Sequence, residues 1–108
     1  MQAVCALADL PEGSTREVRA DGHAIILIHR DGVIRAFRNR CPHWGIELNY
    51  QPNVFLDMDG QFIQCANHGA LFDTDTGFCL QGPCHGESLT PVPLEIRDGQ
   101  VWLRLAPT

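Results

Sequence analysis

Short alternating or apolar stretches in this chain are cut by two-residue turn signals: Asp-Gly at 21–22, 31–32, 59–60 and 98–99, and Thr-Gly at 76–77. A tight hairpin turn needs positive φ at its centre, which Asp and Gly tolerate, so each pair marks a reversal between two strands. Residues 24–28 and 33–37 read as the arms of one hairpin, with β-branched residues on both, and 55–58 and 61–64 as another. In a third, Val92, Leu94 and Ile96 alternate with Pro93, Glu95 and Arg97, and Val101, Leu103 and Leu105 resume the period after Asp98-Gly99. Each arm of that hairpin then has one face for a core. No window carries a capped helical period. The expected fold is therefore all-β, an antiparallel sandwich or barrel of short strands. With 108 residues, 44% of them apolar, it should form a single domain over 1–108.

Charge narrows the partners. Eight basic against 13 acidic side chains give a net −5, opposite in sign to a nucleic-acid footprint, so no nucleic acid is expected. All eight are arginine, and the absence of lysine excludes Schiff-base chemistry and a phosphate-loop lysine. Six of them (Arg16, Arg19, Arg30, Arg35, Arg38 and Arg40) crowd into residues 16–40, while eight of the acids fall in 41–108. The opening MQAVCALADLPEG has neither a basic start nor a long apolar run, so no signal peptide or membrane span is expected and the chain is read as cytoplasmic. Five cysteines are an odd number and too few for a secreted disulfide framework.

Two loops following two of the hairpins carry the chemistry: Cys41-Pro42-His43-Trp44-Gly45 and Cys65-Ala66-Asn67-His68-Gly69. Each offers one thiolate and one imidazole in a short turn and closes on a glycine that can take positive φ. Spacing alone leaves two candidates, tetrahedral zinc or an iron–sulfur cluster with mixed ligation.

These residues resemble the Rieske-type [2Fe–2S] proteins, in particular the small soluble Rieske ferredoxins. The resemblance rests on C-P-H-W-G, then C-A-N-H-G-A-L-F-D with a Thr-Gly turn, then Gly82-Pro83 and a closing hairpin, and it runs from about Ala3 to Leu105. It implies a β-sandwich-like base with a small cluster-binding subdomain made of two ligand loops and a Gly-Pro loop. By position, Cys41 and Cys65 would hold the inner iron, and His43 and His68 the outer iron through their Nδ1 atoms. Gly82 and Pro83 would belong to the third loop, covering the cluster away from its ligands. Trp44, Gly45, Gly69, Ala70 and Phe72 would surround the centre.

Two ferric ions, two sulfides and two thiolates leave an oxidised cluster neutral, whereas four thiolates would leave a dianion. A neutral cluster takes up an electron more easily, which places mixed-ligand centres at about −150 to +300 mV against about −400 mV for the plant type. High-potential relatives carry Ser and Tyr hydroxyls where this chain has Ala70 and Phe72, and a cross-loop disulfide where it has Ile46 and Asn67. The resemblance therefore implies a centre at the low end of its class.

The expected role is that of a one-electron carrier between a reductase and an oxygenase or other terminal enzyme. No catalytic acid–base pair, activated nucleophile or nucleotide loop is present, so no enzyme activity of its own and no small-molecule substrate are expected. The alternatives are the small Rieske-like subunit of a larger reductase of the nitrite reductase type, and a zinc-binding interaction module. Cys5 is expected in the core, Cys79 and Cys84 as reduced structural thiols, and His23, His29 and His85 without a metal role. Trp102 is read as structural. Asp73, Asp75 and Glu87 form either an acidic docking rim or a solvated loop.

Overall fold

We describe residues 2–20, 22–40, 48, 55, 56, 60–65, 69–82 and 86–104 of a computed structural model of the chain. They form nine strands: β1 (Gln2–Ala6), β2 (Thr15–Ala20), β3 (His23–Arg30), β4 (Val33–Arg38), β5 (Phe62–Gln64), β6 (Leu71–Asp73), β7 (Cys79–Gln81), β8 (Leu94–Arg97) and β9 (Gln100–Leu103), with one 3-10 turn at Leu7–Asp9. The strands make three antiparallel sheets, ordered β1-β9-β8, β2-β3-β4 and β5-β6-β7. This is the expected all-β architecture. Among the described residues no helix is long and apolar enough to cross a membrane.

The turn chemistry accounts for the hairpins. Asp31 and Gly32 have φ of 54° and 76°, and Asp98 and Gly99 have 51° and 72°. Two successive positive φ values give the primed turn whose twist matches the strands it joins. The carboxylate of Glu12 adds a lock from outside, accepting the Gly32 N–H at 2.6 Å and the Asp31 N–H at 3.0 Å. The loop at 73–77 is organised earlier than its Thr-Gly pair suggests. Asp73 accepts the N–H groups of Asp75 and Thr76 on its Oδ1, and its carbonyl accepts that of Gly77 at 2.8 Å.

Strand β3 is buried on both faces. Ile25 and Leu27 join Leu10, Ala36, Val92, Val101 and Leu103 in a basal core with the β1-β9-β8 sheet. Ile26 and Ile28 join Phe37, Leu48, Phe55, Ile63, Cys65, Ala70, Phe72, Cys79 and Leu89 in a second core against β5-β6-β7. Each large aliphatic side chain taken fully from water contributes about 1.5–3 kcal/mol, so β3 anchors both halves. A stitch also joins them. The segment 87–92 runs beside β7, where Cys79 N–H donates to the Glu87 carbonyl. It then runs beside β4, where Arg38 N–H donates to Thr90 and Val92 N–H to Ala36.

One expectation needs correction. The alternation through Val92, Leu94 and Ile96 does not bury a continuous face: Val92 is buried, Leu94 half-buried and Ile96 44% exposed. Strand β8 is a sheet edge, and its far end runs past the basal core. Of the expected 55–58 arm, Leu56 makes an antiparallel bridge with Ile63, and the Phe55 carbonyl accepts the Gln64 N–H. Residues 57–59, with the rest of that arm, lie outside the described residues, as do Leu105 and Asp21 of the other turn and strand readings.

Candidate metal centre

Cys65 follows β5 and heads a closed turn into β6. Its N–H donates to the Ala70 carbonyl at 2.9 Å, and its own carbonyl accepts the Gly69 N–H at 2.8 Å. Gly69 takes φ 68°, as a turn-closing glycine must. The Cys65 thiol is fully buried and is not in a disulfide. It shares its core with Ala70, Phe72 and Cys79, all fully buried. Among the described residues, the wall behind the turn is thus apolar, and these side chains carry no hydroxyl group.

The start of the third loop rests on the second. A Cβ added at Gly82 would lie 2.8 Å from Ala70 Cα and 3.0 Å from its Cβ, closer than side chains approach. Gly82 also has φ 108°, a conformation that strains any residue with a side chain. Backbone therefore meets backbone where the two loops join. Beside this contact the Cys79 thiol donates to the Gln81 carbonyl at 3.4 Å, an ordinary structural role for a reduced cysteine.

The first loop is entered through Asn39, which is only 3% exposed. Its N–H donates to the Ala24 carbonyl at 2.9 Å, its Nδ2 to Glu17 Oε2 at 2.9 Å, and its Oδ1 accepts the Leu48 N–H at 2.8 Å. The sequence reading did not select Asn39. The available signal was an amide between two arginines at a strand end, two residues before Cys41.

Of the expected centre, Cys65, Gly69, Ala70, Phe72 and Gly82 are placed together in this way. Cys41, His43, Trp44, Gly45, His68 and Pro83 lie outside the described residues, as do Ile46, Asn67, Cys84 and His85. Among the described residues no group of three or more His, Cys, Asp or Glu could hold a metal ion. Of the four expected donors, only Cys65 is among the described residues. A buried unpaired thiol in a backbone-closed turn, walled by small apolar groups, matches a soft metal centre held by loops.

The remaining readings divide. Asp73 spends its carboxylate on its own loop, and Asp75 Oδ1 meets Arg35 Nε at 3.3 Å, so neither forms a free acidic rim. Cys5 is half-buried against the basal core, and that burial pushes its thiol up in pKa despite the opposing Arg16 charge, with Asp9 adding to the rise. His29 Nδ1 lies 2.8 Å from the Leu10 carbonyl. Trp102 stands beneath the Arg97 guanidinium, 5.8 Å from its ring centre, a packing role.

Comparison with known proteins adds family evidence. The family model for the Rieske [2Fe–2S] domain matches residues 1–97. The ferredoxin component of the naphthalene 1,2-dioxygenase/salicylate 5-hydroxylase systems of Ralstonia sp. is 32% identical over 105 residues, covering 97% of this chain and 94% of the relative. Oxidoreductase NdmD of Pseudomonas putida is 28% identical over 105 residues, and there the chain spans only 17% of the relative's length. Among solved structures, the Sphingomonas yanoikuyae B1 ferredoxin superposes with a TM-score of 0.77 at 27% identity, covering 96% of this chain and 97% of that one.

Proposed function

Because the chain belongs to the Rieske [2Fe–2S] domain family, we propose that it is an electron carrier whose loops hold one [2Fe–2S] cluster and pass single electrons from a reductase to an oxygenase or other acceptor. The observation that carries this reading is the backbone-closed turn that presents the buried, unpaired Cys65 thiol. Near-complete mutual coverage with a ferredoxin component of an oxygenase system supports the carrier role. In this reading 1–108 is a single domain without catalytic machinery of its own, and it works in the cytoplasm.

Cys41 and Cys65 would hold one iron of the cluster, and His43 and His68 the other. When bound, the cluster supplies a centre that accepts and releases one electron. Cys65 contributes a thiolate from a site closed to water, so its negative charge is offset by metal and not by solvent. The two histidines contribute neutral donors, which keep the ligand charge low and raise the potential above that of a four-cysteine centre. Ala70 and Phe72 bring no hydroxyl to donate to the sulfurs, so the potential stays low within its class. It should fall below about +100 mV, in the lower half of the range for His-ligated centres. A higher value in protein-film voltammetry would contradict the role assigned to Ala70 and Phe72.

The reading is tested by measuring iron, sulfide and zinc in the purified protein and recording its spin-resonance spectrum after reduction. Two irons and two sulfides with the low average g of a His-ligated cluster are expected. Stoichiometric zinc without sulfide would overturn it.

A further inference from the structure

The two donor loops are closed in different ways. The second is tied by its own backbone at Cys65, Gly69 and Ala70. The first is tied by a side chain: Asn39 stands two residues before Cys41, and its Oδ1 accepts the N–H of fully buried Leu48, five residues after His43, at 2.8 Å. Residues 40–47 are thereby bracketed at both ends by one amide. A short closure of this kind removes much of the conformational freedom of the enclosed chain.

The amide can sit only one way round. Nδ2 donates to Glu17 Oε2 at 2.9 Å, and a flipped amide would set NH₂ against the Leu48 N–H and oxygen against the Glu17 carboxylate. Glu17 on β2 thus orients Asn39, and Asn39 orients the loop. The residue is also fixed from behind by the bond from its N–H to the Ala24 carbonyl on β3. With Asn39 and Leu48 buried, a lost partner is not replaced by water, so the bond is expensive to leave unmade.

We propose that Asn39, held in orientation by Glu17, is the positioning residue that sets how the first loop delivers Cys41 and His43. The proposal rests on the cluster reading above. Its consequence is that cluster retention and the electronic signature depend on a hydrogen-bond relay from β2 to Leu48.

The test compares Asn39→Ala, Asn39→Asp and the double variant Asn39→Asp/Glu17→Gln, with Leu103→Ala in the basal core as control. The rate of cluster loss to an iron chelator and the spin-resonance spectrum of the reduced protein are measured. Asn39→Ala should lose its cluster roughly tenfold faster, with altered g values. Asn39→Asp keeps the acceptor for Leu48 but sets a second carboxylate against Glu17, and should behave similarly. In the double variant the new amide donates to the new carboxylate, and both the rate and the spectrum should return to within about twofold of the parent. Leu103→Ala should leave the spectrum unchanged. A parental rate and spectrum in Asn39→Ala would overturn the proposal. So would a double variant no better than Asn39→Asp, a comparison that decides the matter even if the alanine variant does not fold. A parent protein without sulfide would instead overturn the cluster reading, before any variant is made.

Discussion

In the β2-β3-β4 sheet six successive residue pairs join each strand to its neighbour without interruption, whereas β5 and β6 share three pairs, and β6 and β7 two with a bulge between them. The first sheet gains its order from long ladders and the primed turn at Asp31-Gly32, devices that work in any chain of suitable pattern. The sheet around Cys65 has strands too short for that, and it is held by turns closed on themselves, a backbone contact at Gly82 and the side chains shared with β3 and β4. The contrast teaches that the base is built to fold by burial, while the donor-bearing half is built to present groups and depends on the base and on its ligand for rigidity.

The sharpest way to break this contrast is Cys65→Ala. It should abolish the cluster and its visible absorption, and in hydrogen exchange should strip protection from β5–β7 while β2–β4 keep theirs. Uniform loss of protection would show that the two halves are not separable. Next in size, Leu103→Ala empties a fully buried site in the basal core and should cost about 2–5 kcal/mol in denaturant unfolding, with the cluster spectrum unchanged. Gly82→Ala is the complement. Its new methyl meets the Ala70 backbone at a strained φ, so about 1–3 kcal/mol should be lost, with faster release of iron.

The smallest effect belongs to the β3–β4 turn. The Gly32 N–H above all holds the exposed Glu12 carboxyl below its usual pKa; burial opposes it, and the Asp31 N–H, His29 and the Gly13 N–H add to the lowering. A lowered folded-state pKa contributes stability that is present above the ordinary carboxylate value of about 4.3 and is lost as pH falls through the lowered one. Glu12→Gln should flatten that part of the acid limb in a pH series of thermal melts and leave the neutral-pH cluster spectrum alone.

The two halves were also unequally legible in sequence. The turns at Asp31-Gly32 and Asp98-Gly99 could be read because positive φ has a residue signature. The same held for β3 and β4, whose apolar runs flank the Asp31-Gly32 turn. Ile96 was misassigned because alternation shows which side chains share a face and not where the neighbouring core ends. On the other side the family resemblance singled out Cys65, Gly69 and Gly82, and the structure places the backbones of Gly82 and Ala70 against each other beside the Cys65 turn. The weight on Asn39 could not be read that way, since it depends on partners 22 residues upstream and nine downstream that only the folded chain brings together. The carboxylates of Asp73 and Asp75 looked free for the same reason, their partners being set by loop geometry and by Arg35.

Strand β3 carries a further consequence. Ile25, Ile26, Leu27 and Ile28 are consecutive, aliphatic and almost fully buried, so hydrophobicity alone does not say which of them belongs to which half. Deleting one residue between its two turns would keep the strand equally oily and yet hand every later side chain to the opposite core, against the small Ala36 where Phe37 had been and the reverse. For β3 the information lies in its length: the number of residues from one turn to the next decides which of them build the base and which stand behind the donors.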